Sequence, residues 1–217
     1  MFHSLKHHKT MAKKVFNLLV VDESGSMSCI RRQALTGMNE TLETVIQMQK
    51  QHPDFEQRVT LLTFDSQHCK FHYDNTPASQ VHQLSEKDYR PCASTPLYDA
   101  IGRGIAKVHA VCGEEDSVLV TIITDGWENS SMEYNLPMIQ NLIEKLKKQG
   151  WKFTFIGTDN LDVEGMAHSM GILDSLAFTQ DEEGTKKMFS MDRMARCCYM
   201  SRREKGEEEV EGDFFNL

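Results

Sequence analysis

The sequence predicts an α/β protein, with a doubly wound, mostly parallel sheet of six strands, one antiparallel edge strand, and helices on both faces. Three observations carry this. Short apolar runs rich in β-branched residues alternate with amphipathic stretches at helical spacing along most of the chain. The runs are apolar throughout rather than alternating with polar residues, as in strands covered on both faces. One connection, residues 65–68, is too short for a helical crossover and permits only an antiparallel hairpin.

The elements follow in order. Residues 15–21 form the first strand. A helix over 30–51 carries Leu35, Met38, Leu42, Val45 and Met48 on one face and is stopped by Pro53. Strands over 58–64 and 70–73 make the hairpin, and 74–94 reads as a polar loop. The stretch 96–112 is helical, with Leu97, Ile101, Ile105 and Val108 as its stripe. A strand over 117–123 precedes a helix over 136–148, which Gly150 ends. A strand over 151–156, a short helix over 163–170, a strand over 175–178 and a helix over 182–202 complete the pattern. Gly102 and Gly104 sit inside a helical pattern with no strand just before them, which argues against a nucleotide loop.

With 217 residues, one domain is expected, over 15–203. Residues 1–14 read as a disordered leader, and Met11 is an alternative start. Residues 204–217 read as a disordered acidic tail, because they are charged and lack a periodic apolar face. A net charge of −8 argues against nucleic-acid binding. No apolar stretch reaches the length of a membrane span, and the basic N-terminus has no apolar core of a secretory signal. The six cysteines show no Cys-x-x-Cys pair, so reduced thiols and a cytoplasmic location are expected.

The junction after the first strand is the most informative. Asp22, Ser24 and Ser26 fall at alternate positions in the loop at its carboxyl end. In open α/β sheets that crevice is where ligands bind. One carboxylate and two hydroxyls are hard donors suited to a small divalent cation that keeps some water. Mg²⁺ fits best, Mn²⁺ can replace it, and Ca²⁺ is a poorer match. Thr95 before Pro96 and Asp125 at the end of the 117–123 run extend the set. Thr95 also reads as a helix N-cap, with Ser94 as the neighbouring register, and Asp125 as a turn residue.

These stretches, LLVVDESGSM, STPLYDAIGRGI and VTIITDGWEN, resemble the von Willebrand factor type A (vWA) family with its metal-ion-dependent adhesion site. The resemblance covers roughly 15–178 and is closest to stand-alone cytosolic bacterial members. It implies a Rossmann-like fold and a metal held by Asp22, Ser24, Ser26, Thr95 and Asp125. It also implies a non-enzymatic role, in which the ion captures an Asp or Glu of a partner protein. Glu23, Met27, Trp127 and Glu128 flank the ligands and are expected on the rim.

Other readings compete with this one. A Mg²⁺-dependent phosphatase of haloacid-dehalogenase type also places an Asp after a buried first strand. It needs a second Asp two residues on, where this chain has Ser24. A scaffold with a vestigial site would not need the intact five-residue set. His68, Cys69 and His72 invite zinc, but their segment reads as a turn into an edge strand. Met188, Met191, Met194 and Met200 in the last helix read as packing or an adaptable contact surface.

Overall fold

A computed structural model describes residues 13–207 and 210–216. Its strands are β1 (Lys13–Asp22), β2 (Phe55–Phe64), β3 (Cys69–Pro77), β4 (Ser117–Thr124), β5 (Trp151–Thr158) and β6 (Asp174–Phe178). They form one sheet in the order β3-β2-β1-β4-β5-β6, parallel except for β3. The helices are α1 (Arg31–Gln51), α2 (Leu97–His109), α3 (Leu136–Lys147), α4 (Val163–Ser169) and α5 (Glu182–Lys205).

Both faces of the sheet are covered, which is why the central strands read as unbroken apolar runs. Val15, Leu19 and Val21 of β1 point to the core under α1 and α5. Phe16, Leu18 and Val20 point to the core under α2, α3 and α4. The two glycines inside α2 serve packing. A Cβ on Gly104 would stand 2.9 Å from Leu62, and one on Gly102 would clash with the Tyr134 ring at 2.5 Å.

Several boundaries differ from the sequence reading. The helix expected from residue 30 begins as a 3-10 segment, Gly25–Ile30, before α1. Strand β3 is longer than 70–73, and its pairing with β2 shifts register near Leu61. Within 74–94, Val81, Leu84 and Tyr89 are buried, so much of that polar stretch is packed. Gly150 lies at φ 85°, the left-handed conformation expected after a helix end.

Helix α5 buries a polar cluster within its otherwise apolar contact face. Arg196 is fully buried and donates to Asp192 at 2.7 Å, Thr121 at 2.6 Å and Asn17 at 3.3 Å. Among its methionines, Met188 and Met200 are buried while Met194 is exposed.

The tail reading is corrected over 210–216. The Phe214 side chain is buried beside Tyr199, and its N–H donates to Asp174 Oδ1 at 2.7 Å. Lys152 pairs with Asp174 at 2.7 Å and donates to the Val210 carbonyl at 2.9 Å. The segment has no periodic apolar face, yet Phe214 and Phe215 supply the apolar surface that docks it. Of the expected leader, Lys13 and Lys14 begin β1, and the rest lies outside the described residues.

Candidate functional site

The strand order reverses between β1 and β4, so a crevice opens at their carboxyl ends. Val21 lies opposite Ile123, which sets Asp22 beside Thr124. The Thr124 hydroxyl donates to Asp22 Oδ2 at 2.6 Å. Asp22 Oδ1 accepts the Ser24 N–H at 2.7 Å, turning the loop so that Ser24 and Ser26 follow, their hydroxyls 3.2 Å apart. Ser26 donates to Asp125 Oδ1 at 2.6 Å. A Cβ built on Gly126 would lie 3.1 Å from Thr95 Oγ1 and 3.7 Å from both Asp22 Oδ2 and Ser26 Oγ. Asp22, Ser26 and Thr95 therefore meet around a single glycine, and Ser24 and Asp125 join them through their hydrogen bonds with Ser26.

Reciprocal capping between α2 and the loop after β4 holds Thr95 there. Its N–H donates to Asn129 Oδ1 at 2.8 Å, and its carbonyl accepts the Asn129 N–H at 3.1 Å. In the first turn of α2, the Tyr98 N–H donates to Glu128 and the Asp99 N–H to Ser131. Asp99 in return accepts N–H groups from Met132, Glu133 and Tyr134. The N-cap expectation for Thr95 is thus corrected. Pro96 holds the cap position, loop side chains satisfy the helix end, and the Thr95 hydroxyl faces Gly126. Ser94 is turned towards the hairpin, where it exchanges hydrogen bonds with Ser66.

The site is short of positive charge. Burial pushes Asp22 up to about 6, against hydrogen bonds from Thr124 and Ser24, and the nearby Asp125 adds to the rise. Burial also raises Asp125. Among the described residues no Lys, Arg or His pairs with either carboxylate, and Asp125 Oδ2 takes only an amide, from Gln180 at 3.2 Å. Two buried carboxylates and three hydroxyls around one point are a donor set that fits a hard divalent cation.

Of the expected rim, Trp127 is 55% exposed and fits. Met27 does not, because it is fully buried beneath α1. Glu23 is also buried and accepts the Arg90 N–H. Glu128 is tied up by Tyr98, Ser130 and Ser131, so it braces the loop rather than facing a ligand.

Sequence reasoning missed the supporting residues. Thr124 braces Asp22, the Tyr89 hydroxyl donates to the Asp22 carbonyl at 2.7 Å, and Gln180 holds Asp125. Only Thr124, adjacent to Asp125, left a local signal. The His68, Cys69 and His72 grouping does not form. His72 bonds Thr63 at 2.9 Å, while His68 lies beside Asp65 and Cys92.

A doubly wound sheet with an acidic, hydroxyl-lined crevice at its strand reversal defines a ligand-binding α/β domain. The von Willebrand factor type A domain model matches residues 18–193, and the chain belongs to that family. Domains of this family serve in protein interaction and adhesion, and most are not enzymes. No curated protein matches the chain in sequence.

Among solved structures the chain is similar to proximal thread matrix protein 1 from the mussel byssus. That likeness has 16% identity and a TM-score of 0.62, over 83% of this chain and 45% of that one. A mutant of the PilB minor pilin from Streptococcus sanguinis aligns at 13% identity and TM-score 0.60, over 89% and 63%. The vWF domain of the type V pili tip protein Mfa5 from Porphyromonas gingivalis aligns at 10% identity and TM-score 0.56, over 93% and 98%. Such identities speak to fold. The chain spans less than two thirds of the first two proteins.

Proposed function

We propose that this chain is a Mg²⁺-dependent protein-binding domain that captures an Asp or Glu side chain of a partner through an ion held by Asp22, Ser24, Ser26, Thr95 and Asp125. The observation that carries this reading is the convergence of Asp22, Ser26 and Thr95 oxygens on Gly126, with Ser24 and Asp125 hydrogen-bonded to Ser26, and, among the described residues, two buried carboxylates with no cationic side chain between them. Two carboxylates only just neutralise a divalent ion, so an incoming carboxylate gains a strong, charge-assisted contact. Trp127, exposed beside the crevice, would supply the apolar contact around it. Membership of the von Willebrand factor type A family supports a protein-binding role. The phosphatase alternative is disfavoured because Ser24 stands where its second Asp is needed.

A cytoplasmic setting is part of this proposal. It is supported by six free cysteines. Among the described residues no helix is long and apolar enough to cross a membrane.

The test has two arms. Millimolar Mg²⁺ should raise the melting temperature of the wild type and not of Asp22→Ala, since a ligand specific to the native state stabilises it by mass action. Peptides selected from a random display library on the Mg²⁺-loaded chain should carry an Asp or Glu, release in EDTA, and lose binding on Asp-to-Asn or Glu-to-Gln exchange. A melting curve indifferent to Mg²⁺ would sink the ion. Selected peptides that bind equally well in EDTA would sink the bridge.

A further inference from the structure

We propose a second metal site, for Zn²⁺ or a similar borderline-soft cation, formed by Asp65, His68 and Cys92 at the end of β2. The ligand atoms of all three lie within 4.8 Å of one another. His68 Nδ1 is 3.4 Å from Asp65 Oδ1, and Cys92 Sγ is 3.2 Å from Asp65 Oδ2. Zinc bonds of about 2.0–2.3 Å set tetrahedral ligand–ligand edges of about 3.3–3.8 Å, and because the imidazole and the thiol lie near different oxygens of Asp65, rotation of these side chains would bring one atom of each residue to that spacing.

Asp65 is the anchor. It is only 4% exposed, and among the described residues no Lys or Arg pairs with it. An ordinary turn role accounts for one of its oxygens: Oδ1 accepts the Gln67 N–H at 2.6 Å and the His68 N–H at 2.8 Å, which shapes the hairpin turn. Oδ2 accepts from the weak thiol donor of Cys92. A buried carboxylate with a thiol beside one oxygen and an imidazole beside the other is well matched by a cation that all three groups can ligate. His68 is exposed and Cys92 half-buried, so the ion has a route in, and solvent can complete its coordination.

The donor set separates this site from the one around Gly126. Thiolate and imidazole select zinc, whereas carboxylates and hydroxyls select Mg²⁺. On binding, the Cys92 thiol loses its proton to solvent and the thiolate becomes the ligand. The ion would tie the β2–β3 turn to the segment leading to Thr95. Those parts already touch through Ser66 N–H to Ser94 O at 2.9 Å and Ser94 N–H to Ser66 Oγ at 3.2 Å.

The experiment is a Co²⁺ titration of the reduced full chain, with excess Mg²⁺ present to occupy the oxygen site. The expected result is a thiolate-to-cobalt charge-transfer absorption saturating at one equivalent and displaced by Zn²⁺. Cys92→Ser should abolish that absorption, and His68→Ala should weaken Co²⁺ binding about tenfold or more. Cys69→Ser and Asp22→Ala should leave the spectrum intact. As a measurement on the unaltered chain, Zn²⁺ should slow alkylation of Cys92 and not of Cys29, read by mass spectrometry. The proposal is overturned by a wild type with no charge-transfer absorption, by an absorption that survives Cys92→Ser, or by Cys92 alkylation indifferent to Zn²⁺.

Discussion

The Thr124 hydroxyl donates to Asp22 Oδ2 at 2.6 Å, joining the ends of β4 and β1 through the carboxylate at the centre of the candidate site. That bond and the one from the Ser24 N–H only partly offset the burial of Asp22, whose pKa is pushed from 3.8 up to about 6. The folded chain holds this proton to higher pH than the unfolded chain does. Stability from Asp22 is therefore lost as pH rises from 3.8 through about 6.

An asparagine at this position should escape that loss. In EDTA at neutral pH, Asp22→Asn is expected to be more stable than the wild type by on the order of 2 kcal/mol. The advantage should shrink as pH falls from about 6 and vanish below 3.8, where the wild-type carboxyl is protonated in both states. In Mg²⁺ the wild type alone should gain. Urea unfolding across this pH range, with and without metal, measures all three. A variant less stable than the wild type in EDTA at neutral pH would count against an uncompensated buried charge.

Gly126 is the position where any side chain intrudes on the converging oxygens. An added Cβ would sit 3.1 Å from Thr95 Oγ1, tight but tolerable for folding, and within 3.7 Å of Asp22 Oδ2 and Ser26 Oγ. Gly126→Ala should therefore keep its apo melting temperature to within a few degrees while losing most of the Mg²⁺-dependent rise. Calorimetric Mg²⁺ titration of the two proteins checks this, and equal affinities would refute it.

The buried pair under α5 makes a stability prediction away from the site. Arg196 is fully buried and Asp192 is 2% exposed, with 2.7 Å between them. Asp192→Ala strands the guanidinium and should cost about 3–5 kcal/mol. Replacing both residues together, Asp192→Leu with Arg196→Met, should cost clearly less than that single change, because no charge is left unpaired. Denaturant midpoints of the single and double variants supply the comparison.

Docking of residues 210–216 rests on Phe214. Phe214→Ala removes a buried ring beside Tyr199 and should cost about 3 kcal/mol. The Mg²⁺-dependent shift in melting temperature should be untouched, because this segment packs against β6 near Asp174. Hydrogen exchange over 210–216 should show protection in the wild type and lose it in the variant.

What the sequence determined by itself was whatever a local pattern encodes. Unbroken apolar runs specified strands covered on both faces, helical spacing specified α1 and α2, and a short link specified the antiparallel hairpin. Asp22, Ser24 and Ser26 could be picked out because they lie together after a buried strand. Thr95 and Asp125 could be picked out because each begins or ends an element.

Tertiary structure decided the rest, because the deciding contacts join residues far apart in sequence. Ser26 reaches Asp125 across 99 positions, and Thr124 reaches Asp22 across 102. Met27 is adjacent to the ligands but buried, since the 3-10 turn rotates it into the core, while Trp127 stays outside. Asp65, His68 and Cys92 meet only because the segment before Thr95 folds back along the end of β2, a path no local spacing records. Phe214 docks for the same reason: the surface that holds it is built from Tyr199 and Asp174, and it exists only once β6 and α5 have packed.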